Sequence, residues 1–245
     1  AWLPAKVLDP ELREWLGQGI AGRVPQGSLY VQQPLDGSGE TKTDDAASEE
    51  FEGKLRLTLQ VEDGRLPFDP QWPSLENVSG TLTVNDETLY ADVAHAQVSG
   101  LVSEGAKVAL QDELLRVEGP VSGASQALLD FLAASPIEGM DAFSTWRSEG
   151  QVEGQLALSV PMVEGEEIEN SEALEIDVTA AIDAPSLTLP QSGLTLGSIN
   201  GRLHYRHAGN EDTLTGELGA RAFDGPMLAR FDVGGEGVAI EGRAL

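Results

Sequence analysis

From Val152 to Met162 the chain alternates between apolar and polar positions. Val152, Gly154, Leu156, Leu158, Val160 and Met162 share one parity; Glu153, Gln155, Ala157, Ser159 and Pro161 share the other. Side chains of a strand point alternately to opposite faces, so this stretch predicts a strand with one apolar and one wet face. Phe51, Gly53, Leu55, Leu57, Leu59 and Val61 alternate in the same way with Glu52, Lys54, Arg56, Thr58 and Gln60. Leu174, Ile176, Val178, Ala180 and Ile182 repeat the pattern. Shorter strands are predicted at 27–33, 78–84, 88–93, 96–102, 107–110, 114–121, 186–189, 198–205, 213–218, 227–233 and 238–241. Short connections rich in Asn, Asp, Glu and Gly suit antiparallel neighbours.

A second pattern overlies the first. Apolar-x-Gly-x-apolar occurs at Phe51-x-Gly53-x-Leu55, Val78-x-Gly80-x-Leu82, Val98-x-Gly100-x-Val102 and Val117-x-Gly119-x-Val121. It returns at Val152-x-Gly154-x-Leu156, Ile199-x-Gly201-x-Leu203 and Leu214-x-Gly216-x-Leu218. Glycine inside a strand marks a bend, a bulge or a close backbone approach. Its recurrence predicts one long curved sheet of roughly 14 to 16 strands, extending roughly 65 to 75 Å at the usual strand spacing. Open sheets of that width curl or split, so a trough is a natural outcome.

Helical periodicity is confined to two places. Asp9-Pro10-Glu11 carries helix-start chemistry, and Leu8, Leu12, Trp15, Leu16 and Ile20 follow at helical spacing, with Gly22 as a stop. The second helix is predicted at 124–135, carrying Leu128, Leu129, Phe131 and Leu132 and ended by Pro136, with one more turn at 141–146. The stretches 35–50 and 164–172 are polar, acidic and without periodicity, which predicts loops.

Composition changes this picture in two ways. Fifteen basic against 41 acidic residues give a net charge of −26, which repels nucleic-acid phosphates and anionic membrane surfaces and excludes nucleic acid as a partner class. Cysteine is absent, which removes thiolate metal sites and thiol catalysis. No run of 18 apolar residues is present, and the first residue is not Met, so the chain reads as a segment of a longer polypeptide.

Reaction chemistry is not legible. His204 and His207 have opposite parity on one strand and would not converge on a metal; with His95 they read as surface histidines. The acidic clusters lack the spacing of a calcium loop, and Gly234-Gly235-Glu236-Gly237 lacks the Lys-Ser/Thr of a phosphate loop. No Gly-x-Ser-x-Gly elbow occurs. The expectation is a non-enzyme with no catalytic residues, no metal and no cofactor. What remains is the apolar face. In a β-sandwich it would be buried by a second sheet, and in a curled single sheet it would line an open groove; alternation is the same in both.

Several fragments, in order along nearly the whole chain, carry a family resemblance. They are Leu3-Pro4, Asp9-Pro10-x-Leu12-x-x-Trp15-Leu16, Trp72-Pro73-x-Leu75-x-x-Val78-x-Gly80 and Leu129-x-x-Leu132-x-x-Ser135-Pro136. Gly150-x-Val152-x-Gly154-x-Leu156-x-Leu158-x-Val160-Pro161 and Ala222-Phe223-x-Gly225-Pro226 complete the set. In these the chain resembles the periplasmic part of the AsmA-like proteins, particularly the YhdP branch. Its acidity, above all at 36–50 and 164–172, departs from that pattern.

The resemblance implies a mainly β fold: a long antiparallel curved sheet forming an open, β-taco-like groove, with a short N-terminal helix and a short helical interlude. Residues 1–245 would form one elongated groove segment of a longer protein, with a helix and first strand set at 1–120, the interlude at 121–148 and a second strand set at 149–245. It further implies a periplasmic location, an inner-membrane anchor outside this segment, and phospholipid movement towards the outer membrane of Gram-negative bacteria. Phospholipids would be the ligands, with outer-membrane or other envelope proteins as further partners. On this reading the groove lining includes Leu55, Leu57, Leu59, Leu82, Val84, Leu156, Leu158, Val160, Leu174, Ile176, Val178, Leu203 and Tyr205. The alternative is a structural or interaction scaffold of the envelope with a closed core and no lipid conduit.

Overall fold

A computed structural model describes residues 21–32, 54–86, 88–137, 139–162, 174–209, 211–223, 225–234 and 237–244. Within them the first strands are β1 (Ala21–Gln32), β2 (Lys54–Leu66), β3 (Leu75–Asn85), β4 (Thr88–Val98), β5 (Leu101–Ser103), β6 (Ala106–Gln111) and β7 (Leu114–Ala124). A helix, α1 (Ser125–Ala134), and a 3-10 segment, η1 (Met140–Thr145), follow. The chain then forms β8 (Arg147–Pro161), β9 (Glu175–Leu189), β10 (Leu194–Ala208), β11 (Glu211–Ala222), β12 (Gly225–Gly234) and β13 (Gly237–Ala244). The N-terminal helix expected from Asp9 and the loops expected at 35–50 and 164–172 lie outside the described residues, except that Gly22 belongs to β1 rather than ending a helix.

All 13 strands join one antiparallel sheet in the order β1-β2-β3-β4-β5-β7-β8-β9-β10-β11-β12-β13, with β6 between β4 and β7. Strands β5 and β6 occupy one column, interrupted at Glu104 and Gly105, where the Gly105 N–H still donates to Val93 O at 3.1 Å. The sheet therefore spans about 50 Å across its strands.

The expected count of roughly 14 to 16 strands was too high for the described residues. The stretch 186–189 is the end of the 15-residue strand β9, not a strand of its own. The stretch 96–102 is divided by a hairpin: Ser99 (φ 48°) and Gly100 (φ 87°) form a left-handed two-residue turn. The Gly100 repeat thus marks a turn and not a mid-strand bend. Asp112 (φ 52°) and Glu113 (φ 58°) make the same turn between β6 and β7 without any glycine.

Elsewhere the glycines mark close backbone approach. A Cβ on Gly80, Gly154, Gly201 or Gly216 would fall on the carbonyl oxygen of Asp92, Thr179, Glu217 or Arg202 of the neighbouring strand. Gly154, Ala180, Leu203 and Gly216 are successive partners across β8 to β11, so a line of tight approach crosses the middle of the sheet. Bulges add to the bend. Asp63, Asn77 and Ser198, all with φ near 50°, sit where the registers of β2, β3 and β10 slip. The result is a single curved sheet.

Helix α1 leaves the end of β7 and packs against β7, β8 and β9. Ser125 is buried, and its Oγ lies 2.7 Å from Ser148 Oγ. The Ser148 N–H donates to Gln126 Oε1 at 2.9 Å, and Ser135 Oγ donates to Leu132 O at 2.7 Å where the helix stops. The Trp72 ring, from the β2–β3 connection, stands 5.7 Å from that of Phe131. The buried apolar residues among those described are Ala96, Leu101, Val152, Ala184, Ile199 and Ala222, all towards the strand ends where α1 lies. No large side chain among the described residues is fully buried.

Candidate functional site: an uncovered apolar face

Residues opposite one another in an antiparallel ladder share a face, so the registers define the two surfaces. One row runs Leu29, Leu57, Val84, Leu89, Leu110, Leu115, Val160 across β1, β2, β3, β4, β6, β7 and β8. The next runs Leu59, Leu82, Ala91, Val108, Val117, Leu158, Ile176 and ends at His207 and Asp212. A third holds Leu156, Val178, Tyr205, Leu214 and Val233, and a fourth holds Leu203 and Phe231 beside the glycine line. Leu55 continues the parity of Leu57 on β2, and Leu174 precedes β9 with the parity of Ile176. Twelve of the 13 residues expected to line a groove therefore share one face, and Leu174 stands just before β9.

The face is wider than that set. Leu89, Val108, Leu110, Leu115, Val117, Leu214, Leu218 and Phe231 belong to it as well. Alternation within β4, β6, β7, β11 and β12 was the signal that could have found them; short apolar runs and misplaced turns obscured it.

These residues are half-buried rather than sealed. Facing sheets of a sandwich would close them off from water, about 10 Å apart. Instead, among the described residues only the end beneath α1 is closed, and none of them forms a second layer over the rows from Leu29 to Ile176. At the β1 edge Leu29 is 56% exposed.

The opposite face is polar. Arg230 Nε donates to Glu217 Oε1 at 2.7 Å, Arg56 Nε donates to Asn85 Oδ1 at 2.8 Å, and His204 Nε2 lies 3.0 Å from Asp177 Oδ1. Two shallow recesses, of ≈ 200 and ≈ 290 Å³, lie mainly on this side, where the short Ala157 stands between Glu118 and Asp177. Among the described residues no group of three or more His, Asp or Glu side chains is placed to hold a metal ion.

One polar cluster interrupts the apolar face. The Tyr205 hydroxyl donates to Asp212 Oδ1 at 2.7 Å, and His207 Nδ1 lies 2.9 Å from the same oxygen. A carboxylate only accepts, so Nδ1 carries a proton, and in the neutral ring Nε2 is then the acceptor. His207 Nε2 is closed to water and has no partner, an arrangement costing about 1–3 kcal/mol when a donor or acceptor is stranded. The expectation of surface histidines is corrected here: the His207 side chain is only 17% exposed, because its parity turns it to the crowded face. Hydrogen bonds from His207 and Tyr205 hold the Asp212 carboxyl below its ordinary range. Burial, then the hydrogen bond and charge of Asp212, push the Tyr205 phenol up to about 12.

No helix among the described residues is long and apolar enough to cross a membrane. Neither curated proteins nor solved structures provide a match. A family model described as YhdP protein matches residues 1–244. With nearly every residue matched, a single curved sheet and an uncovered apolar face, the chain belongs to the YhdP family, whose theme is lipid transport in the cell envelope.

Proposed function

We propose that this chain is a periplasmic segment of an inner-membrane-anchored, bridge-like lipid transfer protein, and that its apolar face carries phospholipid acyl chains towards the outer membrane. The observation that supports the reading is the face itself: aliphatic rows about 30 Å long with no layer of the described residues over them. Each CH₂ moved from water onto such a surface gains about 0.8 kcal/mol, so a whole acyl tail is held strongly. Similar contacts recur at every strand, so a tail sliding along the rows exchanges one set for an equivalent one. Headgroups remain in water at the open side.

Leu55, Leu57, Leu59, Leu82, Val84, Leu156, Leu158, Val160, Leu174, Ile176, Val178, Leu203 and Tyr205 are the proposed contacts. The rows, half-buried rather than sealed, weigh against a scaffold with a closed core. Native mass spectrometry of gently purified protein tests the proposal: it should carry phospholipid masses. Leu57→Asp and Leu158→Asp should lower the retained lipid by about tenfold or more, because a desolvated carboxylate opposes the tail, while circular dichroism stays that of the parent. An apo mass for the parent, or collapse of the fold in both variants, would overturn the groove.

A further inference from the structure

The apolar face is interrupted at one end by Tyr205, His207 and Asp212. We propose that these three residues form a polar notch that receives the primary ammonium of an amine-bearing amphiphile. The inference rests on the groove reading above and adds the chemical class of the headgroup.

Position is the first argument. Tyr205 stands opposite Val178 and Leu214, and His207 stands opposite Ile176, so the notch opens directly from the aliphatic rows. Asp212 lies near the start of β11, and its side chain is 63% exposed. A tail lying on Leu158, Ile176 and Val178 would bring its polar end to this carboxylate.

Hydrogen-bonding capacity is the second. Both donors of the cluster, the Tyr205 hydroxyl and the His207 Nδ1–H, are directed to Asp212 Oδ1. With a neutral imidazole, what remains is acceptors only: Asp212 Oδ2, the Tyr205 oxygen and the unpartnered His207 Nε2, the last closed to water. With the imidazole neutral, the notch carries the single negative charge of Asp212. A phosphate would meet repulsion and no donor. A primary ammonium brings three N–H donors and the complementary charge.

The test uses the 245-residue chain, incubated with vesicles containing equal parts of phosphatidylethanolamine, phosphatidylcholine and phosphatidylglycerol with identical tails. Native mass spectrometry then reads which lipid is retained. Phosphatidylcholine carries the positive charge without N–H donors, and phosphatidylglycerol carries hydroxyl donors with a net negative charge. Phosphatidylethanolamine should be enriched about three- to tenfold over both, the worth of one charge-assisted hydrogen bond at a partly exposed site. Asp212→Asn, which nearly keeps the side-chain shape, should bring the ratio towards one; His207→Phe should do the same. A loaded parent protein showing no enrichment, or enrichment unchanged by Asp212→Asn, would overturn the notch and leave the groove standing. A parent protein that retains none of the three lipids overturns both.

Discussion

At the scale of single residues, the strongest constraints are the strand glycines and the Tyr205–His207–Asp212 cluster. Gly154 has no room for a side chain, since any Cβ would meet Thr179 O. Gly154→Val should therefore cost about 2–4 kcal/mol in urea denaturation. Gly197→Ala is the control: its nearest neighbour would be Pro185 O at an ordinary 3.6 Å, and its stability should stay close to that of the parent. The cluster makes a spectroscopic prediction. Of the chain's three tyrosines, one should ionise at about 12 in an absorbance titration, and Tyr205→Phe should remove that step. Because the folded value lies above the ordinary 10.0, this contribution to stability is complete below pH 10 and fades as pH rises towards about 12. Asp212 works in the opposite direction. Its folded value is depressed, so its contribution is present above the ordinary carboxylate range and is lost as pH falls through the folded value. Melting temperatures from neutral to acidic pH should show Asp212→Asn losing less than the parent on acidification. The comparison is needed because acid also relieves the repulsion of a chain with net charge −26.

At the scale of elements, α1 closes one end of the sheet, and among the described residues nothing else covers it. Its attachment is polar as well as apolar: Gln126 accepts from the Ser148 N–H and donates to Asp130 Oδ1 at 2.8 Å. Gln126→Ala strands a half-buried backbone donor at the start of β8 and should lower stability by about 1–2 kcal/mol. The loss should appear first as faster amide hydrogen exchange in α1 and the first residues of β8, with β10 and β11 unchanged. Ser135-Pro136, prominent in the sequence, is where α1 stops, and Ala222-Phe223-x-Gly225-Pro226 is the β11–β12 turn. Phe223 there has φ 49° and is 91% exposed. These fragments define turns and a helix end, which is why they were conspicuous without indicating any chemistry.

At the scale of the whole molecule, the uncovered face and the net charge act against each other. Half-exposed aliphatic rows and sheet edges favour association between molecules, while a charge of −26 opposes it and also loosens the folded chain. Salt should therefore raise the melting temperature and promote self-association together, as the repulsion is screened over about 10 Å at 0.1 M. Light scattering and differential scanning calorimetry across a salt series check the pair. A detergent or phospholipid that occupies the face should suppress the association without lowering the melting temperature.

Much of this organisation was legible along the chain. Strict alternation around Leu57, Leu158 and Ile176 determined which side chains share a face, because a strand has a period of two wherever it is placed. Opposite parity separated His204 from His207, and Pro136 with its preceding leucines marked α1. Strand limits were less legible: β9 runs through Pro185, and Ser99 turns left-handed, outcomes set by neighbouring ladders and not by local propensity. The functional surface depended on tertiary structure altogether. Whether an apolar row is sealed or open depends on what lies across from it, and alternation is identical in a sandwich and a trough. The meeting of Tyr205 and His207 with Asp212 likewise required the β10–β11 register, a pairing across a turn that determines which carboxylate stands opposite which imidazole.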